Sequence, residues 1–405
     1  MAMNSTPAGR PHVNLLDPVF YVDPWAAYRW LRDEAPVFWD PVQQLWAISR
    51  YEDVVAVERD GRLYSSFFGS RPHIDQRTDE SMINMDDPEH QQQRNLVVRR
   101  FTPHGARSHE DHVRAVVTQI LDDVTPVGEC EAIEAIASRL PAIVIGDVLG
   151  YPREHWERVR AWSEQVMFVA GQTSPQGPPH IPDPKIGPII SEFVEITSGL
   201  IKQRRSDPKD DLISVWTAQG WSTKKVLDEA LLVLNGGAET TRTVTGTMIR
   251  DLARHPDQRQ VLIEHPELLT TTAVDEFIRW VSPVLNMRRT ATSEHQLRDR
   301  TIHQGDQLLL LYGCANRDER AFDDPEVLDV GRERANRHVA FGFGTHFCLG
   351  AHLARLELRV MFEELLRRLP DWELVDADEP QVIPATFARA YDRIRIRFTP
   401  SRSQC

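Results

Sequence analysis

Phe341-Gly-Phe-Gly-Thr-His-Phe-Cys-Leu-Gly350 decides how the rest of this chain is read. Cys348 sits in a glycine-punctuated loop that runs straight into an amphipathic helix. Leu349, Leu353, Leu356, Val360, Leu365, Leu366 and Leu369 recur at helical spacing, and Arg355, Glu357, Arg359, Glu363 and Arg367 fill the other face. Cys348 therefore falls at a helix N-terminus, where free N–H groups and the helix dipole favour an anion, here a thiolate. Gly342, Gly344 and Gly350 permit unusual φ values and let the backbone approach a flat ligand closely. A soft thiolate held in this way suits iron.

Two plainer readings compete. A lone cysteine is commonly a small buried hydrophobe. His346, Cys348 and His352 also suggest zinc, although no Cys-x-x-Cys pair or second ligand cluster completes a set of four. Taken whole, the ten residues match Phe-Gly-x-Gly-x-His-x-Cys-x-Gly at every fixed position. They resemble the haem-binding loop of the cytochrome P-450 superfamily. That resemblance implies a mainly α fold with a small β region and haem b (iron protoporphyrin IX) buried between an oxygen-binding helix and the cysteine-loop helix. Cys348 would be the axial thiolate and metal ligand, with Phe341, Gly342 and Gly350 lining the cofactor.

A chain of 405 residues, 41% hydrophobic and 26% charged, can bury a large core. Its length alone would allow two or three domains. No internal repeat or low-complexity linker divides it, so residues 1–405 read as a single domain with frayed ends at about 1–15 and 401–405. Cys130, Cys314, Cys348 and Cys405 show no framework spacing, which favours a reducing cytoplasm over secretion. The net charge of −13 argues against nucleic acid as a partner. Met1 to Arg10 holds no apolar run, so neither a signal peptide nor a membrane anchor is expected. By the resemblance of Ile83–His90 and His338–Glu357 to the superfamily's actinobacterial members, a soluble bacterial protein of that type is implied, expected to be a monomer.

Leu45–Ile48, Gln307–Leu311 and the alternating Arg393–Phe398 read as strands, and Tyr51–Asp60 as a short helix. Most of the remainder has helical periodicity. Gly171–Pro188 is the one long break, with six prolines and three glycines. Composition alone leaves it a linker or a lid; by resemblance it lies between two helices that roof the substrate pocket.

Ser222 to His255 reads as one helix, opened by Ser222 or Thr223 and stopped by Pro256. Its first half is apolar nearly all round, which implies deep burial. Then comes Asn235-Gly-Gly-Ala-Glu-Thr-Thr241. Two glycines inside a helix cost about 1 kcal/mol each relative to alanine. Close packing explains glycines of this kind, and a solvated face explains an isolated Glu239. Together they resemble the superfamily's oxygen-binding helix. Gly236 and Gly237 would leave room for dioxygen beside the haem, Thr240 would hydrogen-bond the distal oxygen and a water, and Glu239 would relay protons.

Glu276 and Arg279 share a helix face at i,i+3 spacing and resemble the superfamily's structural Glu-x-x-Arg pair, with Arg334 or Arg337 as the partner. Cations for two haem propionates are expected from His90, Arg94, His346 and Arg289, although Arg288 is adjacent to the last. Pocket-lining positions implied by the resemblance are Phe67, Phe68, Met82, Ile83, the Val166–Pro188 region, Val233, Gly236, Gly237, Val284, Leu285 and Phe387. They are mostly apolar and imply a small apolar organic substrate.

The function implied is that of a haem-thiolate monooxygenase. One atom of dioxygen enters a sterol or steroid, a fatty chain or a secondary metabolite. Electrons from NAD(P)H would arrive through a separate ferredoxin and ferredoxin reductase. A basic face with Arg99, Arg100, His104, Arg107 and Arg355 would dock the ferredoxin. A peroxide-driven enzyme and a non-catalytic haem-binding or sensing protein are the alternatives. Neither accounts as well for Glu239-Thr240.

Overall fold

The computed structural model describes residues 11–72, 76–168, 186–375 and 380–401. Its axis is the helix Thr223–Arg254. Ser222 caps the start by accepting from the Lys225 N–H at 3.1 Å. At the other end, Pro256 starts a new helix, Pro256–Glu264, because proline fits a first turn and not an interior. Along the axis Val226, Ala230, Leu234, Ala238, Val244, Met248, Ile249 and Leu252 are buried in the main core. Helices Arg139–Leu149, Trp156–Phe168 and Ala351–Arg368 pack around it. A helix apolar on several sides is stable only when enclosed in this way.

Val37–Asp40, Leu45–Ile48, Gln307–Leu311, Asn286–Ala291 and Tyr64–Ser65 form a sheet in that spatial order. Leu45–Ile48 and Gln307–Leu311 run parallel, with Trp46 opposite Leu308; the other pairs are antiparallel. The period of two shows in the cores. Leu308, Leu310, Trp46 and Ile48 enter one cluster, whereas Leu309, Leu311, Leu45 and Ala47 enter another on the opposite face. Two buried faces explain the unbroken leucine run.

The alternating segment near the C-terminus pairs over Arg395–Arg397, between Glu129–Glu131 and Glu373–Leu374. The mainly α fold with a small β region is as expected. Of the proline-rich break, 171–185 lie outside the described residues; helices Trp156–Phe168 and Ile186–Ser206 flank it. Among the described residues no helix is long and apolar enough to cross a membrane, and Cys130, Cys314 and Cys348 are free thiols.

Candidate functional site

The cysteine-loop helix starts at Ala351 with Gly350 as its cap, which puts Cys348 two residues before the cap. Its N–H donates to the Phe341 carbonyl at 2.8 Å and closes the loop. Gly342 and Gly344 have φ of +67° and +68°, conformations that a side chain would strain. At Gly344 the close approach is to protein: a β-carbon would lie 2.3 Å from the Glu58 carbonyl oxygen. Gly350 has an ordinary φ of −83°, and a β-carbon there would meet nothing within 4 Å. Of the three glycines, then, only Gly350 borders open space. Burial pushes the Cys348 thiol pKa up, with the Gly350 N–H, Arg94 and Arg355 pulling it back. The helix start alone does not make the thiolate expected from sequence. A bound metal cation would supply the missing charge.

Four residues expected to hold the propionates converge on this loop from separate elements. His90, on the helix Glu89–Asn95, stacks on His346 with ring centroids 4.1 Å apart. One turn on, Arg94 donates to the Phe347 carbonyl at 2.6 Å. Arg289, on the strand Asn286–Ala291, adds its field to that of His90 and Arg94 at His346. Burial, then these three neighbours, push the His346 pKa down to about 2. Burial also lowers that of His90. The loop thus gathers two guanidiniums and two neutral imidazoles. Arg289 is held by Glu58, Nη2 to Oε2 at 2.9 Å. Arg288 points elsewhere, with Nε on the Gly69 carbonyl at 2.9 Å and Nη2 on that of Phe68.

On the axial helix the paired glycines divide their work. Gly236 is exposed between half-buried neighbours, and a β-carbon there would meet nothing within 4 Å. At Gly237 it would lie 2.6 Å from Ile145 Cδ1. Gly237, expected on the cofactor side, is a packing glycine against the helix Arg139–Leu149. Thr240 Oγ1 donates to the Gly236 carbonyl at 2.8 Å, one turn back along the helix. Glu239 is buried and paired with Arg242 at 2.8 Å. Burial raises its pKa and Arg242 opposes the rise. The i,i+3 spacing of Glu239 and Arg242 was legible in the sequence, whereas Glu58 beside Arg289 left no local signal.

Glu276 and Arg279 are fully buried and bidentate, with both contacts at 2.7 Å. Their partner is neither Arg334 nor Arg337, both exposed, but Arg332, whose Nε lies 3.1 Å from each Glu276 oxygen. Arg334 takes the left-handed turn at φ +60° that carries the chain past this cluster.

A thiol at a loop rim, the Arg94 and Arg289 guanidiniums beside the same loop, and open space at Gly350 and Gly236 fit a flat, anionic, metal-bearing group. Zinc fits less well: among the described residues no three His, Cys, Asp or Glu side chains are placed to hold a metal. The cytochrome P450 family model matches residues 190–398.

The chain belongs to the cytochrome P450 family. It is similar to a steroid C26-monooxygenase of Mycolicibacterium smegmatis, 39% identical over 402 residues and 97% of both chains. A methyl-branched lipid omega-hydroxylase of Mycobacterium bovis is 32% identical over 392 residues, covering 89% of this chain and 88% of that one. Among solved structures, a Bacillus megaterium P450 in complex with testosterone superposes with a TM-score of 0.83 at 28% identity, over 94% of this chain and 99% of that one. The protein is therefore a P450 monooxygenase, a haem enzyme with a cysteine thiolate.

In this P450, Leu285 and Phe387 are buried and joined through the Leu285 N–H and the Phe387 carbonyl at 2.8 Å. Val284 bridges Ala388 beside them. Met82 is buried, its N–H held by Glu229 Oε1 at 2.8 Å, and Ile83 and Val233 are half-buried. Phe67 and Phe68, expected in the pocket wall, stand 48% and 42% exposed and pack edge-to-face on each other. A cleft of about 600 Å³, lined by Trp25, Arg250, Arg317 and Arg389 among others, contains none of the predicted site residues.

Proposed function

We propose that this P450 inserts one atom of dioxygen into a small, largely apolar sterol, steroid or fatty-chain substrate. The observation that carries the reading is the pairing of Gly236, open to space, with the Thr240 hydroxyl bound to its carbonyl. Similarity to the steroid and branched-lipid monooxygenases over most of their length, and the apolar residues Met82, Val284, Leu285 and Phe387, support the substrate class.

When bound, haem held by the Cys348 thiolate would supply the oxygen-activating chemistry. The other roles belong to side chains. Cys348 ligates the iron, and Arg94, Arg289, His90 and His346 take the propionates. Thr240 has given its proton to the Gly236 carbonyl, so its oxygen offers lone pairs and holds a water as acceptor. Glu239 binds a proton more readily than an exposed carboxylate, which suits a relay whose charge Arg242 steadies.

Electrons come, in this proposal, from NAD(P)H by way of a ferredoxin reductase and a ferredoxin, in the cytoplasm. Of the basic residues expected to dock the ferredoxin, Arg100 is paired with Asp210 at 2.5 Å and Arg355 with Asp275 at 2.8 Å. Arg99, His104 and Arg107 are exposed and carry no ion pair among the described residues. They are the stronger candidates. Turnover of a sterol or fatty-chain panel with NADH, reductase and ferredoxin, run beside hydrogen peroxide alone, tests the proposal. Product only with the electron-transfer proteins is expected. Equal or better turnover with peroxide would overturn it in favour of a peroxide-driven enzyme.

A further inference from the structure

Arg71 is a half-buried cation, without an anion among the described residues. Its guanidinium carbon lies 3.3 Å from the centroid of the Phe387 ring. Nη1 is shielded from solvent and has no hydrogen-bond partner. Among the described residues no carboxylate reaches it, because the acids of the surrounding loop are engaged. Asp79 binds Ser81 N–H and Asn84, Asp86 binds Ser65 and Ser66, and Glu229 binds Met82 N–H and Gln93.

The backbone at Arg71 is fixed all the same. Its N–H and that of Ser70 both donate to Gln76 Oε1, at 3.1 and 2.9 Å, and Arg288 clamps the carbonyls of Phe68 and Gly69. Phe387 in turn packs in an apolar cluster with Met167, Ala385, Ala388 and Val284. Burial pushes the Arg71 pKa down to about 9, with no carboxylate acting against it, so the group stays charged at neutral pH.

An uncompensated buried charge is costly, and the stem and loop that hold it are ordered in advance. A planar guanidinium with free N–H groups matches a carboxylate. Met82, Val284 and Phe387, the pocket residues proposed above, stand on the same loop or in the same cluster.

We propose that Arg71 recognises a carboxylate at one end of an otherwise apolar substrate and so fixes which carbon is offered for oxidation. The inference rests on the monooxygenase reading and adds a polar terminus to its substrate class.

The test is spectral titration of the holoenzyme with hexadecanoic acid and its methyl ester, in the wild type, Arg71→Gln and Arg71→Lys. Charge-assisted hydrogen bonds of this kind correspond to roughly tenfold or more in affinity. The wild type should therefore bind the acid at least about tenfold more tightly than the ester. Arg71→Gln should bind the two alike, and Arg71→Lys should keep part of the preference. Equal binding of acid and ester by the wild type, no shift with the acid, or an acid preference that survives Arg71→Gln would each overturn it. Haem content and the reduced carbon monoxide band, measured on all three proteins, report separately on the P450 reading and should be unchanged.

Discussion

Arg332 Nε sits 3.1 Å from both carboxylate oxygens of Glu276, closing from a later segment on a pair that Arg279 already holds from the same helix. Arg332 also donates to the Asp323, Asp324 and Val327 carbonyls, so one side chain ties the Glu276 helix to the irregular chain that leads to the cysteine loop. Removing one member of such a buried group leaves an uncompensated charge, at about 3–5 kcal/mol. Arg332→Ala should lower the denaturant midpoint by that order. Arg334→Ala and Arg337→Ala should stay within about 0.5 kcal/mol, as surface changes do. Equal losses at all three positions would remove Arg332 from its special place.

The two glycines of the axial helix should respond in opposite ways. Gly236→Ala adds a carbon in open space and gains about 1 kcal/mol of helix propensity, so Tm should hold or rise. The same carbon borders the space assigned to dioxygen and substrate, and substrate affinity should change. Gly237→Ala drives a carbon into Ile145, and overpacking of this kind costs about 1–3 kcal/mol. Its Tm should fall, and a cycle with Ile145→Ala should be strongly non-additive. Thermal melts of the four variants beside the wild type decide the point.

Haem retention should depend on Arg94 and Arg289 together. At about 1.5–3 kcal/mol for each charge-assisted bond, Arg94→Ala should weaken retention without abolishing it. The double change with Arg289→Ala should give largely apo protein. Because Arg289 also neutralises buried Glu58, its loss should cost fold stability as well. Glu58→Gln with Arg289→Gln separates the two effects: stability should largely return and haem retention should not. The haem-to-protein absorbance ratio after gel filtration measures one effect, and a chemical melt the other.

Much of this was legible in the residues themselves. The cysteine loop, the axial helix with its Ser222 cap and Pro256 stop, and the choice of His90, Arg94, Arg289 and His346 as residues that gather at that loop all follow from local spacing and resemblance. What stayed hidden depends on the third dimension. Three arginines, Arg332, Arg334 and Arg337, lie within one turn-rich stretch, and only the fold decides which reaches Glu276. Gly236 and Gly237 are adjacent, so a helix points them some 100° apart, and sequence cannot say which meets a neighbour. Glu58 is far along the chain from Arg289, and only the fold sets the helix Tyr51–Arg59 beside the strand that carries Arg289. The thiol of Cys348 went the same way: the helix start favours a thiolate, and burial outweighs it.

Thr240 should govern coupling. Its hydroxyl is bound to the Gly236 carbonyl, so Thr240→Ala leaves the packing of the axial helix nearly unchanged while deleting the oxygen that holds a water. Substrate binding and NADH consumption should persist, with less product and more hydrogen peroxide per NADH. Glu239→Gln should instead slow the overall rate, since a carboxyl that carries a proton is replaced by an amide that does not. Product, peroxide and NADH measured in one reconstituted reaction distinguish the two variants. Unchanged product per NADH in Thr240→Ala would leave Thr240 as a packing residue.

Everything above turns on the bond between Cys348 and iron, and one spectrum reads that bond directly. The reduced carbon monoxide complex of the wild type should show the red-shifted Soret band of thiolate ligation. Cys348→His should bind haem with that band lost. The same band in Cys348→Ala would contradict the assignment, because no other described cysteine stands in the loop where the haem-binding residues meet.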